Sequence, residues 1–440
     1  MKVVIIGAGI GGLVCAIACR QENLEVTVLE RASELIPIGA GIQIPPNAAR
    51  VARRLGILQQ LIEKSVVLDS IEYLRYANGK LVFKIEGGKN MVEKFGDKWM
   101  VIARPDYHQV LWDAAKDAGV ELRLGSEVEG IDFDTTSARL KGDEIIKADV
   151  IVGADGLWSH SRDQLLGTES PPSETGDLAY RGTITREQLL GLGDPRIDEL
   201  INDQSVKCWM GPGRHCVFYP LAGGKSFNLV LIRPDDLSKD VRQAPGEIGE
   251  MRTCFEGWDE RLTKIISCVP SVLKWKLCHH EELESWTKNA VVLLGDACHP
   301  TLPYQAQGAA MAAEDGAVLG KLLGLLDKSG LHDTGNKKQM EQMLQLYESL
   351  RKTRTTVNVQ GAASNQISYH LPDGPLQKAR DATLSSSGGN PSGSGYHFAD
   401  WDYLRSMLSF DSVEDSIKAF EKWSVEQTPS SGGSKTSTRL

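Results

Sequence analysis

Apolar and polar positions divide the chain into recognisable stretches. Lys2 to Ile6 is a short β-branched run, the pattern of a strand buried on both faces, and Leu13 to Arg20 follows it as a helix. Glu25 to Leu29 is a second strand. Val51, Leu55 and Leu58 share one face of a helix that Asn47 is placed to cap. Ser70 to Ile85 alternates as a hairpin would, with its turn at Asn78-Gly79. Val101 to Ala103 leads through Arg104-Pro105-Asp106 into a helix expected from Tyr107 to Ala118, with Asp106 as its cap. Short strands follow at Leu122–Leu124, Val128–Phe133 and Ala138–Ile146, and Ala148–Ala154 reads as another buried strand.

Between Leu178 and Leu283 the pattern changes. AYRGTI, KCWM, HCVFYPL, FNLVLIR and LKWKLCHHE read as strands, with Gly-Pro and Gly-Gly turns between them and helices near Leu237 to Val269 beside them. Ala290 to Leu294 then returns to a buried strand. Gly308 to Leu326 is a helix rich in Ala, Leu and Gly, a further helix runs from about Lys338 to Asn365, and Trp401 to Trp423 is one amphipathic segment.

The first thirty residues carry specific chemistry. Gly7, Gly9 and Gly12 form G-x-G-x-x-G between a strand and a helix. One glycine turns the chain, one lets backbone approach a pyrophosphate, and one lets the helix pack close to the strand. The helix N-terminus offers unpaired N–H groups and a positive dipole end to a phosphate. Glu30 ends the second strand eighteen residues past Gly12, near the separation of roughly twenty at which an acid meets the ribose hydroxyls. A carboxylate there repels a 2′-phosphate, so the nucleotide expected is the ADP half of FAD, or NAD.

These elements predict an α/β fold: a Rossmann-type nucleotide-binding domain with an inserted antiparallel β-sheet domain and a C-terminal helical segment. The bounds expected are 1–176 for the first part of the nucleotide-binding domain and 177–284 for the mainly antiparallel substrate-binding sheet. Residues 285–384 would complete the first domain and add long helices, 385–396 would be a flexible linker, 397–427 a helical segment and 428–440 a disordered tail.

Composition narrows the function. A chain of 440 residues exceeds the size at which one core usually keeps growing. A net charge of −9 and the lack of a basic block argue against a nucleic-acid partner. Val3 to Ala18 is apolar enough to mimic a signal-peptide core, but its four glycines and its strand–turn–helix pattern argue otherwise. No run of eighteen apolar residues predicts a membrane span. Eight scattered cysteines without C-x-x-C suit reduced thiols in a cytoplasmic protein. His279, His280, Glu281 and Glu282 are consecutive, so a strand would send them to alternate faces, and no metal site is expected.

Three separated strand ends therefore carry ligand-type residues: Gly7 to Gly12 with Glu30, Asp155-Gly156, and Gly295-Asp296. The strings GAGIGG, GAGIQIPPNA, DLAYRGTI, GADGLWSHSR and GDACHPTLPYQAQGAAMAAED resemble the group A, single-component FAD-dependent aromatic hydroxylases. The chain is most similar to their salicylate-hydroxylase-like branch, from Lys2 to Leu326. The resemblance implies that the glycine loop holds the FAD pyrophosphate, Glu30 the adenosine ribose and Asp296 the ribityl hydroxyls. Arg104, which on local sequence alone is a ligand contact or a surface ion-pair partner, would also touch FAD. The loop around Ala40, Gly41 and Gln43 would lie near the flavin ring. Asp155 is associated in the family with FAD and with the pyrophosphate of the nicotinamide donor, for which no second Rossmann fingerprint is present.

A helix beginning at Gly308-Ala309 could aim its N-terminus at the flavin C2 carbonyl and stabilise the reduced, anionic ring; its small residues suit an ordinary core helix equally. The reaction implied is reduction of FAD by NAD(P)H, capture of O2, and hydroxylation of an aromatic or phenolic small molecule by a flavin C4a-hydroperoxide. Arg181 is expected to pair with a carboxylate or phenolate, and Tyr219 to bond the substrate oxygen or relay its proton. His215, on the same strand as Tyr219, is the competing base, and His299 is expected to brace the loop after Asp296. Two alternatives remain: epoxidation or oxidative rearrangement of a heteroaromatic or prenylated compound, and a flavin oxidase or reductase without oxygen insertion. DLAYRGTI and GDACHPTLPYQAQG favour oxygen insertion.

Overall fold

The computed structural model describes residues 1–35, 41–331, 337–386 and 391–427. A six-stranded sheet carries the glycine motif, in the order Thr287–Lys288, Val291–Leu293, Val150–Gly153, Lys2–Ile6, Glu25–Leu29, Glu121–Arg123. All its pairings are parallel except the Thr287–Lys288 edge. A parallel sheet needs cover on both faces, and strand alternation supplies it. Val3 and Ile5 pack on the side of the helices Ile10–Gln21 and Gly308–Ser329, whereas Val4 and Ile6 meet Ala138, Leu140 and Ile146 of a small antiparallel sheet.

The second large sheet has eight strands, ordered Gln243–Pro245, Leu273–His279, Ser173–Thr185, Ser226–Pro234, Arg214–Leu221, Ser205–Gly211, Ser70–Arg75, Leu81–Glu86. It extends beyond the inserted stretch, because the Asn78-Gly79 hairpin adds its two strands at one edge. That junction, Ser205–Gly211 on Ser70–Arg75, is parallel in an otherwise antiparallel sheet. One face buries Leu178, Tyr180, Trp209, Phe218 and Leu229 against short helices that include Ile248–Cys254 and Glu260–Ser267. The other face, with Ala179, Cys208, Val217, Tyr219 and Val230, looks toward the nucleotide-binding domain and the C-terminal helices.

Several local expectations are corrected. The helix after Ala103 spans Arg104–Asp117, so Asp106 lies inside its first turn and does not cap it. Pro105 suits that turn, where its missing N–H costs nothing, and the Asp106 carboxylate favours the positive helix end. Asn47 likewise lies inside the helix Pro46–Arg54; it donates its amide to Gln307 Oε1 at 3.0 Å and Glu314 Oε1 at 2.9 Å. The long helix spans Lys337–Tyr369, and a further helix, Pro375–Ser386, follows it. Trp401 to Trp423 is two helices, Trp401–Leu408 and Ser412–Gln427, divided where Asp411 accepts the Glu414 N–H. Residues 387–390 of the expected linker and the whole expected tail, 428–440, lie outside the described residues. Among the described residues no helix is long and apolar enough to cross a membrane.

Candidate active site

The glycine loop is fixed by close approach. Gly7 has φ +106°, and a Cβ on Gly12 would lie 2.1 Å from the Gly7 carbonyl oxygen. A Cβ on Gly9 would meet nothing within 4 Å, so that position opens onto free space. No side chain caps the helix that starts at Ile10, which leaves its first-turn N–H groups for an anion. Glu30 stands beside the loop: its carboxylate accepts the Ala8 and Ala32 N–H groups, each at 2.9 Å. A cleft of about 470 Å³ runs past Gly7, Gly9, Glu30, Asp155 and Gly156. A second of about 220 Å³ continues past Glu30 to Arg104 and His108. Asp155 lines the first cleft but commits its oxygens to its own loop, accepting the Ser159 hydroxyl at 2.5 Å and the Ser161 N–H at 2.9 Å.

Gly12→Ala is expected to separate helix from strand. Overpacking of this kind costs about 1–3 kcal/mol, so flavin affinity should fall by about tenfold or more, read as the ratio of flavin to protein absorbance after purification.

Asp296 sits in the tight turn Gly295–Ala297 at the end of the strand Val291–Leu293. The turn is held from behind: Asp315 accepts the Gly295 N–H at 3.1 Å and bonds His299 Nε2 at 2.5 Å. Asp296 exposes its side chain although protein surrounds it closely. Burial pushes its carboxyl up, and His299 and Arg104 pull it back. Arg104 is held down by burial and drawn up by Asp296. Two residues 192 positions apart thus meet electrostatically at the cleft.

The helix Gly308–Ser329 begins nearby. Gln307 occupies its cap position, yet the Gln307 side chain bonds Asn47 and leaves the first-turn N–H groups of Gly308 and Ala309 uncapped. These residues fit FAD: open space at Gly9, the Glu30 carboxylate beside the glycine loop, Asp296 interacting with Arg104 and an uncapped helix start at Gly308.

The inserted sheet closes over the strand Gly41–Ile44. The Gly41 N–H donates to Asn228 Oδ1 at 2.9 Å, and a Cβ on Gly41 would lie 2.5 Å from the Tyr219 ring. Tyr219 is buried, which raises its phenol, and Arg181 opposes the rise. Arg181 is held down by burial and by Arg104, with Tyr219 pulling it up. Its Nε is buried without a partner among the described residues. Arg104, Arg181, Tyr219 and Gly41 therefore meet at one junction. Gln43 accepts the Trp99 indole N–H at 2.9 Å; Ala40 lies outside the described residues.

An aromatic-walled cavity enclosing about 60 Å³ opens beside Gln43. His215, Val217 and Cys208 face it from the sheet, Gln305 from the loop before Gly308, and His397 and Tyr403 from the C-terminal segment. Tyr219 and Arg181 are not in its wall. His215 is 1% exposed, and burial together with His370 holds its imidazole well below the usual range. Its Nδ1 lies 2.8 Å from His370 Nε2. The sequence reading missed Gln305, His370, His397 and Tyr403. Only Gln305 carried a local signal, its place in the PYQAQG string; the rest reach the site through tertiary contact.

Residues 1–360 match the family model described as an FAD binding domain. The chain is 38% identical over 393 residues to the FAD-dependent monooxygenase OpS4 of Beauveria bassiana (strain ARSEF 2860), covering 88% of this chain and 89% of that protein. It is 36% identical over 328 residues to 3-hydroxybenzoate 6-hydroxylase 1 of Aquipseudomonas alcaligenes, covering 73% of this chain and 80% of that protein. Among solved structures, a salicylate hydroxylase substrate complex superposes with a TM-score of 0.76 at 22% identity, covering 95% of this chain and 98% of that one.

Proposed function

From the premise that the chain belongs to the FAD-binding domain family, among the group A FAD-dependent monooxygenases, we propose that it hydroxylates a phenolic small molecule with NAD(P)H and O2. The observation that carries this reading is the buried His215 in the wall of an aromatic-lined cavity, which Gln43 of the strand Gly41–Ile44 also lines. The 3-hydroxybenzoate named for one relative supports a hydroxylated aromatic acid as the substrate class.

Bound between the glycine loop and Asp296, FAD would supply electron transfer from NAD(P)H and the activation of dioxygen. The chain does the rest. The glycine loop and the helix start at Ile10 would hold the pyrophosphate, Glu30 the ribose, and Asp296 with Arg104 the ribityl end. The Gly308 helix start would lend its dipole to the flavin ring. Tyr219, packed on Gly41, keeps water from the ring edge. A phenol titrates near 10, and its anion is the better nucleophile, so the site needs a proton acceptor. We assign that role to His215 rather than Tyr219: His215 faces the cavity and is neutral, whereas the Tyr219 phenol is buried against Gly41 with its ionisation suppressed. Arg181 would attract the substrate's carboxylate or phenolate.

The test is NADH- or NADPH-dependent oxygen uptake across a panel of phenols and hydroxybenzoates, with product mass as readout. Gain of one oxygen by one substrate is the expected result. Stoichiometric hydrogen peroxide with every substrate unchanged would overturn the reading in favour of an oxidase. Arg181→Ala is expected to keep its flavin and lose coupling. Removing a charged partner worth about 1.5–3 kcal/mol should lower product formed per NAD(P)H by about tenfold or more, with peroxide rising to match. Undiminished product yield would remove Arg181 from the mechanism.

A further inference from the structure

We propose that His370 carries the substrate proton from His215 toward solvent, so that the two imidazoles form a relay out of the cavity; this rests on the reading of His215 as the base. The two side chains come from distant elements. His215 lies on the strand Arg214–Leu221, and His370 directly follows the helix Lys337–Tyr369. Backbone fixes the approach, since Gly213 N–H donates to the His370 carbonyl at 2.9 Å. The rings lie 5.1 Å apart at 40°, with Nδ1 and Nε2 at 2.8 Å. Tyr304 and Tyr369 pack against His215 at 5.1 and 5.3 Å. His215 is enclosed, whereas His370 is only half-buried. The pair therefore runs from the cavity wall outward.

A single hydrogen bond between two neutral imidazoles couples their tautomers, and of the two arrangements it allows the relay uses the one with His215 as donor. With the proton on His215 Nδ1, that nitrogen donates to His370 Nε2, and His215 Nε2 keeps a lone pair for the substrate. The transfer then balances. The phenol O–H breaks and an N–H forms at His215 Nε2. The Nδ1 proton of His215 passes to His370 Nε2, and the Nδ1 proton of His370 passes to water. Nothing is oxidised, and the phenolate stays in the cavity beside neutral rings.

A relay is needed because His215 cannot store the proton. Burial and His370 both disfavour its charged form. His370 is also held down by burial, but Asp177 pulls it up. Asp177 accepts the Tyr304 hydroxyl at 2.5 Å and the Gln366 amide at 2.6 Å. The other titratable groups facing the pair are Tyr304, Tyr369 and Cys208; burial raises all three, so they stay neutral. Asp373, three residues beyond His370, is engaged by Arg75 and Tyr76. The proton is thus drawn from the more enclosed ring to the ring nearer an acid and nearer water.

The test uses the FAD-loaded enzyme and 4-nitrophenol, whose anion absorbs visible light, mixed rapidly at a pH where the free probe is protonated. Unmodified enzyme is expected to show a fast ionisation phase on binding. His370→Gln keeps an amide oxygen to accept the His215 Nδ1–H but cannot pass a proton. It should retain flavin and melting temperature, and slow the phase by about tenfold or more. The deficit should shrink as pH rises and hydroxide takes over; a merely structural defect would be equal at every pH. His370→Asn should reproduce the result with a shorter side chain. His215→Gln should abolish the phase. Full speed in both His370 variants with loss in His215→Gln would overturn the relay and leave the base. Full speed in His215→Gln would overturn both.

Discussion

Arg351→Met is expected to lower the free energy of unfolding by about 3–5 kcal/mol, the cost of leaving buried charge uncompensated. Arg351 is 1% exposed and holds Glu314 and Asp315 at 2.7 Å each, both carboxylates being equally enclosed. Arg354 and Asn47 share Glu314, and His299 and the Gly295 N–H share Asp315. Removing the guanidinium leaves both carboxylates hydrogen-bonded but with Arg354 as the one arginine still paired to either of them among the described residues. Against burial, these partners hold Glu314 down at about 2 and Asp315 below its usual range. Both groups are depressed in the folded state. Their stabilisation is therefore complete above the unfolded carboxylate range near 4 and lost as pH falls through the folded values. In Arg351→Met burial acts with less opposition, so acid unfolding should begin at a higher pH. Urea titrations of both proteins across pH 3 to 7 check this, and coincident curves would refute it. Adding Glu314→Gln and Asp315→Asn should return part of the loss, because the carboxylates are what the missing cation strands.

The network also explains which parts of the site could be read from sequence. Gly7, Glu30 and Asp296 follow strand ends, and Gly9 and Gly12 open the helix after the first strand, where backbone geometry restricts residue type within a few positions. Local rules reach them. Asn47 and Asp106 misled because a proline at the start of a helix moves its boundary, and the side chains then serve other partners. The hairpin Ser70–Glu86 showed alternation without showing its neighbours; its edge joins the inserted sheet through a parallel pairing with a strand more than a hundred residues away, and Tyr369, Leu384 and Phe398 pack on one of its faces. Alternation puts His215 and Tyr219, four residues apart on one strand, on the same sheet face, but it carries no information about what each position along the strand meets. That position decides the chemistry. Tyr219 meets Gly41, and His215, four residues earlier, meets the cavity and His370. His397 and Tyr403 complete the wall from a C-terminal segment whose amphipathic pattern fits many packings equally.

Asp296→Ala is expected to weaken FAD binding by about tenfold to a hundredfold, the loss of hydrogen bonds to a charged acceptor worth about 1.5–3 kcal/mol. The pH dependence separates this from general damage. Burial raises the Asp296 carboxyl in the free protein, so the acid is protonated further up the pH scale than an exposed aspartate. Ribityl hydroxyls donating to it would favour the carboxylate and lower that value. FAD binding then releases a proton, and affinity should rise with pH between the bound and free values of this group. The alanine variant should lose the slope as well as the affinity. Asp296→Asn, which keeps one acceptor oxygen but cannot titrate, should lose the slope and only part of the affinity. Quenching of flavin fluorescence during titration of the apoprotein at several pH values measures both quantities. If the alanine variant keeps the slope, the titrating group lies elsewhere in the cleft, with Glu30 the next carboxylate to replace. If it keeps the affinity too, Asp296 does not touch the ribityl chain, and the third strand end must be reassigned to shaping the loop that His299 and Asp315 already hold.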